Sequence, residues 1–341
     1  MGDTMIRDRA GESKITIQDV AEALGISKTT VSRAISGKGR IGDETRAKVL
    51  DYIDKYGYQP NPLAKGLANQ KTYNIAWIMP GDSGITDLPF FQKCMTGVIE
   101  VAESKDYDVL ISIVYENDRG SLERIVRNKK IDGAVLGRTL IKDKNVAFLK
   151  ESGIPFVVIG STEEKNVIQV DNDHVNACRE LTSILIMKGV KRMILIGGQE
   201  NHVVNKTRRR GYELGVEEAG TDRVYSKIYM NSDNEQAVNR IVDNAIHENT
   251  ECIVCMDDKI CALVLDKLHH EDIKIPEQIK VASFYNSELI AGNQPPITSL
   301  QYEPKELGSM ATTVLFSYIE GEEVTGKTLM AYEVLLKGST Q

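Results

Sequence analysis

The chain has 341 residues, of which 41% are hydrophobic and 27% charged, with a formal net charge of −7, the composition of an ordinary globular protein. No run of 18 apolar residues occurs, which argues against a helical membrane span, and the polar start MGDTMIRDRAGESK lacks the apolar stretch of a secretory signal. Five scattered cysteines (Cys94, Cys178, Cys252, Cys255 and Cys261) fit reduced thiols in a cytoplasmic protein.

Charge is unevenly spread. Lys14–Thr72 holds ten Lys/Arg against six Asp/Glu, whereas the remainder is acidic. A basic end on an acidic body predicts that one end meets a polyanion. In chain order the organisation reads as a disordered tail over 1–14, a basic helical unit over 15–60, a hinge over 61–72 and a large core over 73–341.

The segment ITIQDVAEALGISKTTVSRAIS carries two short helical patterns. Thr16 with Asp19 forms a variant capping box, and Val20, Ala21 and Leu24 mark one apolar face. Gly25 ends the helix, Ile26 plugs the turn and Ser27 caps the next helix. Val31 and Ile35, spaced i, i+4, face inward, which leaves Lys28, Thr29, Ser32 and Arg33 outward. Two helices about a glycine turn, the second with a basic and hydroxyl-rich outer face, suit major-groove reading by a helix-turn-helix. A third helix is predicted from about Asp43 to Tyr56, stopped by Gly57, with Val49 and Ile53 covering the other two.

The stretch from Ile15 to Ala68 resembles, end to end, the DNA-binding headpiece of the LacI/GalR family of bacterial repressors. The likeness includes Val31-Ser32-Arg33, the turn Tyr58–Asn61 and a hinge ending in Leu67-Ala68. The resemblance implies that Lys28, Thr29 and Arg33 read base edges, with Ser27, Thr30 and Ser32 nearer phosphates. Arg33 is the leading candidate for a bidentate guanine contact. Thr16, Lys38, Arg40, Tyr58 and Asn61 complete the expected DNA surface. The hinge, Pro62 to Asn69, is too short to be helical alone. By resemblance it folds on double-stranded operator DNA and wedges Leu67 into the minor groove; a plain linker is the alternative.

From Tyr73 the pattern changes to apolar runs (NIAWIM, YDVLISIV, DGAVLG, PFVVIG, RMILIGG, ECIVCM, IKVASFY) alternating with helical stretches. Such alternation predicts parallel sheets covered by helices. It occurs twice, before and after Asp171, so the predicted fold class is an all-α helix-turn-helix headpiece plus an α/β core of two Rossmann-like subdomains. A ligand cleft is expected at the carboxyl ends of their strands. On strand ECIVCM, Cys252 and Cys255 point to opposite faces, so buried thiols are expected there rather than a metal site.

The core also resembles that of the same family, which is periplasmic-binding-protein-like. That resemblance implies a first subdomain of about 73–171 and 299–326, and a second of about 172–298 and 327–341. It implies effector contacts at Phe90, Phe91, Asp171, Arg208, Asp257 and Tyr285. A packed aromatic pair is the plainer account of Phe90 and Phe91, and helix capping an equally good one of Asp257. The chain departs from the family where an aspartate is usual and Tyr285-Asn286 stands, and where an aromatic platform is usual and Asn231 stands. The effector expected is a carbohydrate or its phosphate.

An enzymatic reading has little behind it: no G-x-S-x-G elbow, P-loop or GxGxxG occurs. No cofactor, metal or membrane partner is expected. The overall expectation is a homodimeric repressor binding a palindromic operator under small-molecule control.

Overall fold

The computed structural model describes residues 15–37, 39–58, 66, 69–82, 88–115, 118–220 and 223–341. Two compact units divide between Thr72 and Tyr73, the point at which the sequence periodicity changes.

In the first unit three helices, α1 (Ile17–Leu24), α2 (Lys28–Ser36) and α3 (Asp43–Tyr56), surround a small core of Val20, Ala21, Val31, Ala34, Val49 and Tyr58. The termini are set locally. Thr16 accepts from the Asp19 amide and the Asp19 carboxylate accepts from the Thr16 amide, a closed capping box. Gly25, Gly37 and Gly57 close the helices at φ of 64°, 69° and 63°, left-handed backbone that glycine adopts without a Cβ clash. Ile35 is only partly buried and Ala34 takes the fully buried place on α2.

The second unit holds, among the described residues, two six-stranded sheets. The first runs in the order β11, β5, β4, β3, β1, β2, formed by Lys327–Met330, Ile168–Asn172, Phe156–Ile159, Gly133–Leu136, Asn74–Pro80 and Asp108–Val114. The second runs β12, β10, β9, β8, β6, β7, formed by Glu333–Leu335, Thr298–Gln301, Lys280–Ser283, Cys252–Cys255, Arg192–Ile196 and Tyr225–Tyr229. All pairings are parallel except β10 with β12. In both sheets the first strand lies between its two successors, so each has a switch point where strand order reverses and ligands bind beyond the carboxyl ends.

The chain crosses between the lobes after β5, after β10 and after β11. The last two crossings fall later than the sequence reading places them. Ser299 pairs with Ser283 and Leu335 in the second sheet, and Lys327–Met330 pairs with Gln169–Asn172 in the first. The intervening helix α12 (Pro304–Ile319) packs on α4 (Leu88–Ser104) of the first lobe with glycines at the contact. A Cβ on Gly308 would fall 2.0 Å from the Cys94 carbonyl oxygen, and one on Gly97 would fall 2.1 Å from that of Lys305. In the second lobe, α7 (His174–Met187) and α8 (Val203–Ala219) meet in the same way at Gly211 and Gly215. Arg208 lies about one turn before Gly211 on α8.

Cys252 and Cys255 are buried on β8, and burial pushes both thiols up.

Candidate functional site

On the headpiece, α2 packs through Val31 and Ala34, and this fixes its other face. Lys28, Thr29, Ser32 and Arg33 are exposed, as are Thr16, Ser27 and Arg40, while Thr30 is half-buried. Ser27 accepts from the Thr30 amide at 3.1 Å and lies 2.9 Å from its hydroxyl, so both hydroxyls are engaged in capping. A Cβ at Gly39 would stand 3.2 Å from Arg33 Cδ, so the loop backbone passes beside the arginine stem. Tyr58, expected at the DNA surface, is instead only 8% exposed and packs in the headpiece core; a ring there seals the three-helix core. Lys38, Asn61 and Leu67 lie outside the described residues.

In the core a cleft of about 660 Å³ opens between the carboxyl ends of the two sheets, within the usual size for a small-molecule site. Phe90, Phe91, Asp171, Arg208, Asp257 and Tyr285 all line it. Arg208 is 8% exposed and donates through Nη1 to the Met256 carbonyl at 2.8 Å. Its guanidinium lies 5.9 Å from the Tyr285 ring centroid, within cation–π range. Asp171, at the end of β5, accepts from the Ser161 hydroxyl and the Asn172 amide, each at 2.8 Å. Burial outweighs those bonds and raises its carboxyl to about 6.

Phe90 meets Phe91 edge-on at 5.3 Å and Tyr285 at 6.2 Å. Tyr285 in turn stacks on Tyr302 at 6.3 Å and 14°. Phe91 is also part of the first lobe's core. Asp257 caps α10 (Asp258–His270), accepting from the Ile260 amide at 2.8 Å, so capping accounts for it while its carboxylate borders the cleft. Asn286 donates to Gln301 at 2.7 Å in the same wall. Asn231 adopts φ 56° and exchanges hydrogen bonds with Glu200; from its loop, Asp233 is the residue that reaches the cleft.

Among the polar residues of this wall that sequence reasoning missed are Asn172, His174 and Tyr302. His174 Nε2 stands 3.5 Å from Asp171 Oδ1, and its ring meets Tyr302 edge-on at 4.9 Å. Burial and the nearby Arg208 hold the imidazole neutral, well below its usual range. A signal was available: all three sit where a strand gives way to a helix at the carboxyl edge of a sheet, β5 to α7 and β10 to α12, where open α/β folds place ligands.

Comparison with known proteins agrees with both units. Residues 16–61 match the lacI family of bacterial regulatory proteins, and residues 182–340 match the periplasmic binding protein-like domain. The chain is 29% identical over 317 residues to the HTH-type transcriptional regulator MalR of Staphylococcus xylosus, covering 91% of this chain and 93% of MalR. Its fold resembles that of the lac repressor dimer bound to operator and the anti-inducer ONPF, with a TM-score of 0.78, 18% identity, and coverage of 96% and 99% of the two chains. It also resembles the transcriptional regulator CelR in its cellobiose complex, with a TM-score of 0.68, 23% identity, and coverage of 95% and 99%.

Proposed function

We propose that this chain, a lacI-family regulatory protein by domain order and fold, is a sequence-specific transcription regulator. In this reading it binds a palindromic operator as a homodimer, acts as a repressor, and answers to a small molecule in the core cleft. The observation that carries the proposal is the exposed face of α2: Val31 and Ala34 are buried, so Lys28, Thr29, Ser32 and Arg33 project together from one short helix. Such a face can enter a major groove and read base edges. One headpiece offers few contacts, and a two-fold operator engages two of them. An exposed apolar row of Ile111 and Ile113 on edge strand β2, continued by Tyr115 just past its end, supports burial against a second copy.

Aromatic faces, a buried arginine fork and a carboxylate gathered in one cleft suit a carbohydrate or a derivative of one. A relative named as a transcriptional regulator, MalR, supports a binding role over an enzymatic one, exercised in the cytoplasm where the operator is.

Fluorescence anisotropy against a palindromic duplex and its scrambled counterpart tests the reading, with light scattering on the same samples. Preference for the palindrome at moderate salt and twice the 37.9 kDa chain mass are expected. Equal binding to both duplexes refutes sequence-specific regulation.

A further inference from the structure

Arg46, on the first turn of α3, ties that helix to the end of α2. Its backbone amide donates to the Gly42 carbonyl at 3.0 Å, and its Nη2 reaches across to the Gly37 carbonyl at 3.2 Å. Gly37 is the left-handed C-cap of α2, and its own amide donates to the Arg33 carbonyl at 3.1 Å. One residue is therefore held by Arg33 on one side and by Arg46 on the other. Two positions on, the backbone at Gly39 runs along the Arg33 stem. A Cβ there would stand 3.2, 3.3 and 3.5 Å from Arg33 Cδ, Nε and Cγ, so any larger residue would displace that stem. The other end of the tie is firm, because Val49, one turn after Arg46, is fully buried in the three-helix core.

Stability does not account for this arginine. Its side chain is half-buried, and its Nε is buried with no hydrogen-bond partner among the described residues. Desolvating an unmatched N–H costs about as much as the bond from Nη2 returns. The guanidinium does meet the negative end of the α2 dipole, but a solvated lysine would do so without the buried N–H.

A base-reading Arg33 gives a better account. A free arginine loses considerable rotamer entropy when its fork is fixed against a base. A stem already flanked by backbone loses less. That flank works only while the segment after α2 keeps its place, and Arg46 holds it from outside.

We propose that Arg46 is a positioning residue for operator reading: through Gly37 it fixes the segment that flanks Arg33, and so sharpens discrimination between base sequences without touching DNA itself. The inference rests on the reading of α2 as the base-reading helix.

The test uses the full-length protein and a duplex that it enriches from a randomised palindromic library, beside a scrambled duplex of the same length. Anisotropy titrations are run at several salt concentrations. Arg46→Met keeps an apolar stem and removes the donors. It should weaken the enriched duplex at least about fivefold, the lower end of what a bidentate base contact is worth. Affinity for the scrambled duplex and both salt slopes should stay nearly unchanged, which also shows that the headpiece is folded. In an Arg33→Ala background, Arg46→Met should cost nothing further, because the residue through which it acts is gone. Equal losses on both duplexes, with a salt slope lower by about one, mark a phosphate contact; equal losses at an unchanged slope mark a merely structural role. Either result overturns the proposal. So does an enriched-duplex affinity that ignores Arg46→Met, and so do losses that add in the double variant. Failure of the wild-type protein to enrich any duplex defeats the reading of α2 itself.

Discussion

Leu140 of the first lobe forms an antiparallel backbone bridge with His202 of the second. The bridge is flanked by hydrogen bonds from the Ile141 amide to the Asn201 carbonyl at 2.8 Å and from the Val203 amide to the Thr139 carbonyl at 3.4 Å. Lys206 and Glu163 add an ion pair between the same lobes. Because both side chains are exposed, the ion pair contributes little, and the backbone bonds are the stronger tie. Ile141→Pro removes one amide donor and should open the lobes. Sugar affinity is expected to fall by about fivefold, the worth of roughly 1 kcal/mol, in calorimetry. An unchanged affinity would mean that the bridge has no part in closing the cleft.

Arg33→Ala should weaken binding to the cognate operator by about 1–3 kcal/mol and leave random duplex nearly untouched, as expected for loss of a base contact. Arg40→Ala, if Arg40 meets phosphate, should weaken all duplexes alike and flatten the salt slope. Anisotropy titrations at several salt concentrations distinguish the two. Equal losses on operator and random DNA for Arg33→Ala would reassign that residue to the backbone.

Arg208 bears on the link between cleft and operator. A ligand can shift operator affinity only by binding the DNA-bound and free arrangements differently. Arg208→Gln should abolish the ligand's effect on operator affinity while affinity without ligand stays close to wild type. Glutamine ends two bonds short of the Nη1 that now meets the Met256 carbonyl at 2.8 Å, so that carbonyl loses its donor and a thermal melt must show that the variant is folded. A full ligand response in this variant would place the trigger elsewhere.

Asp171 provides a pH signature. Burial raises its carboxyl from 3.8 to about 6 in the folded chain. The native state therefore binds its proton more tightly than the unfolded state. The stabilising contribution is present below about pH 3.8 and is lost as pH rises through about 6. Asp171→Asn removes that loss. Relative to wild type, the melting temperature of Asp171→Asn should rise between about pH 4 and 6 and then level off, the full effect being on the order of 3 kcal/mol. A difference that stays flat across this range would show that the carboxyl titrates normally.

Gly308 tests the packing of the first lobe. A Cβ there would come within 2.0 Å of the Cys94 carbonyl oxygen, so Gly308→Ala must push α12 off α4. Overpacking of this kind costs about 1–3 kcal/mol, and a drop of several degrees in melting temperature is expected. Gly292→Ala is the control, because nothing lies within 4 Å of its Cβ position. Equal melting temperatures for the two variants would mean that the helices separate freely.

The sequence by itself determined the headpiece and the class of the core, because the physics of both is local. A capping box at Thr16 and Asp19, glycines at 25, 37 and 57, and apolar spacings of three and four residues specify three short helices without help from the rest of the chain. Continuous apolar runs likewise announced the central strands. Three of the four edge strands, and β10 beside one of them, were not legible. Tyr225–Tyr229, Lys327–Met330 and Glu333–Leu335 are half-exposed and mix polar with apolar residues, and Thr298–Gln301 buries Thr298 and Ser299 completely. None of these presents an apolar run, so the crossings beside them could not be placed from periodicity.

The cleft divides along the same line. Its six expected residues came from family resemblance and do converge. Asn172, His174 and Tyr302 did not stand out, because a polar residue beside a helix start reads as a cap or a solvated position. Only the tertiary structure decided otherwise. It folds the β5–α7 and β10–α12 junctions, far apart in the chain, against one another, and excludes water from side chains that in isolation would be hydrated. Burial then turns an ordinary asparagine, histidine and tyrosine into unmatched donors and acceptors that call for a ligand.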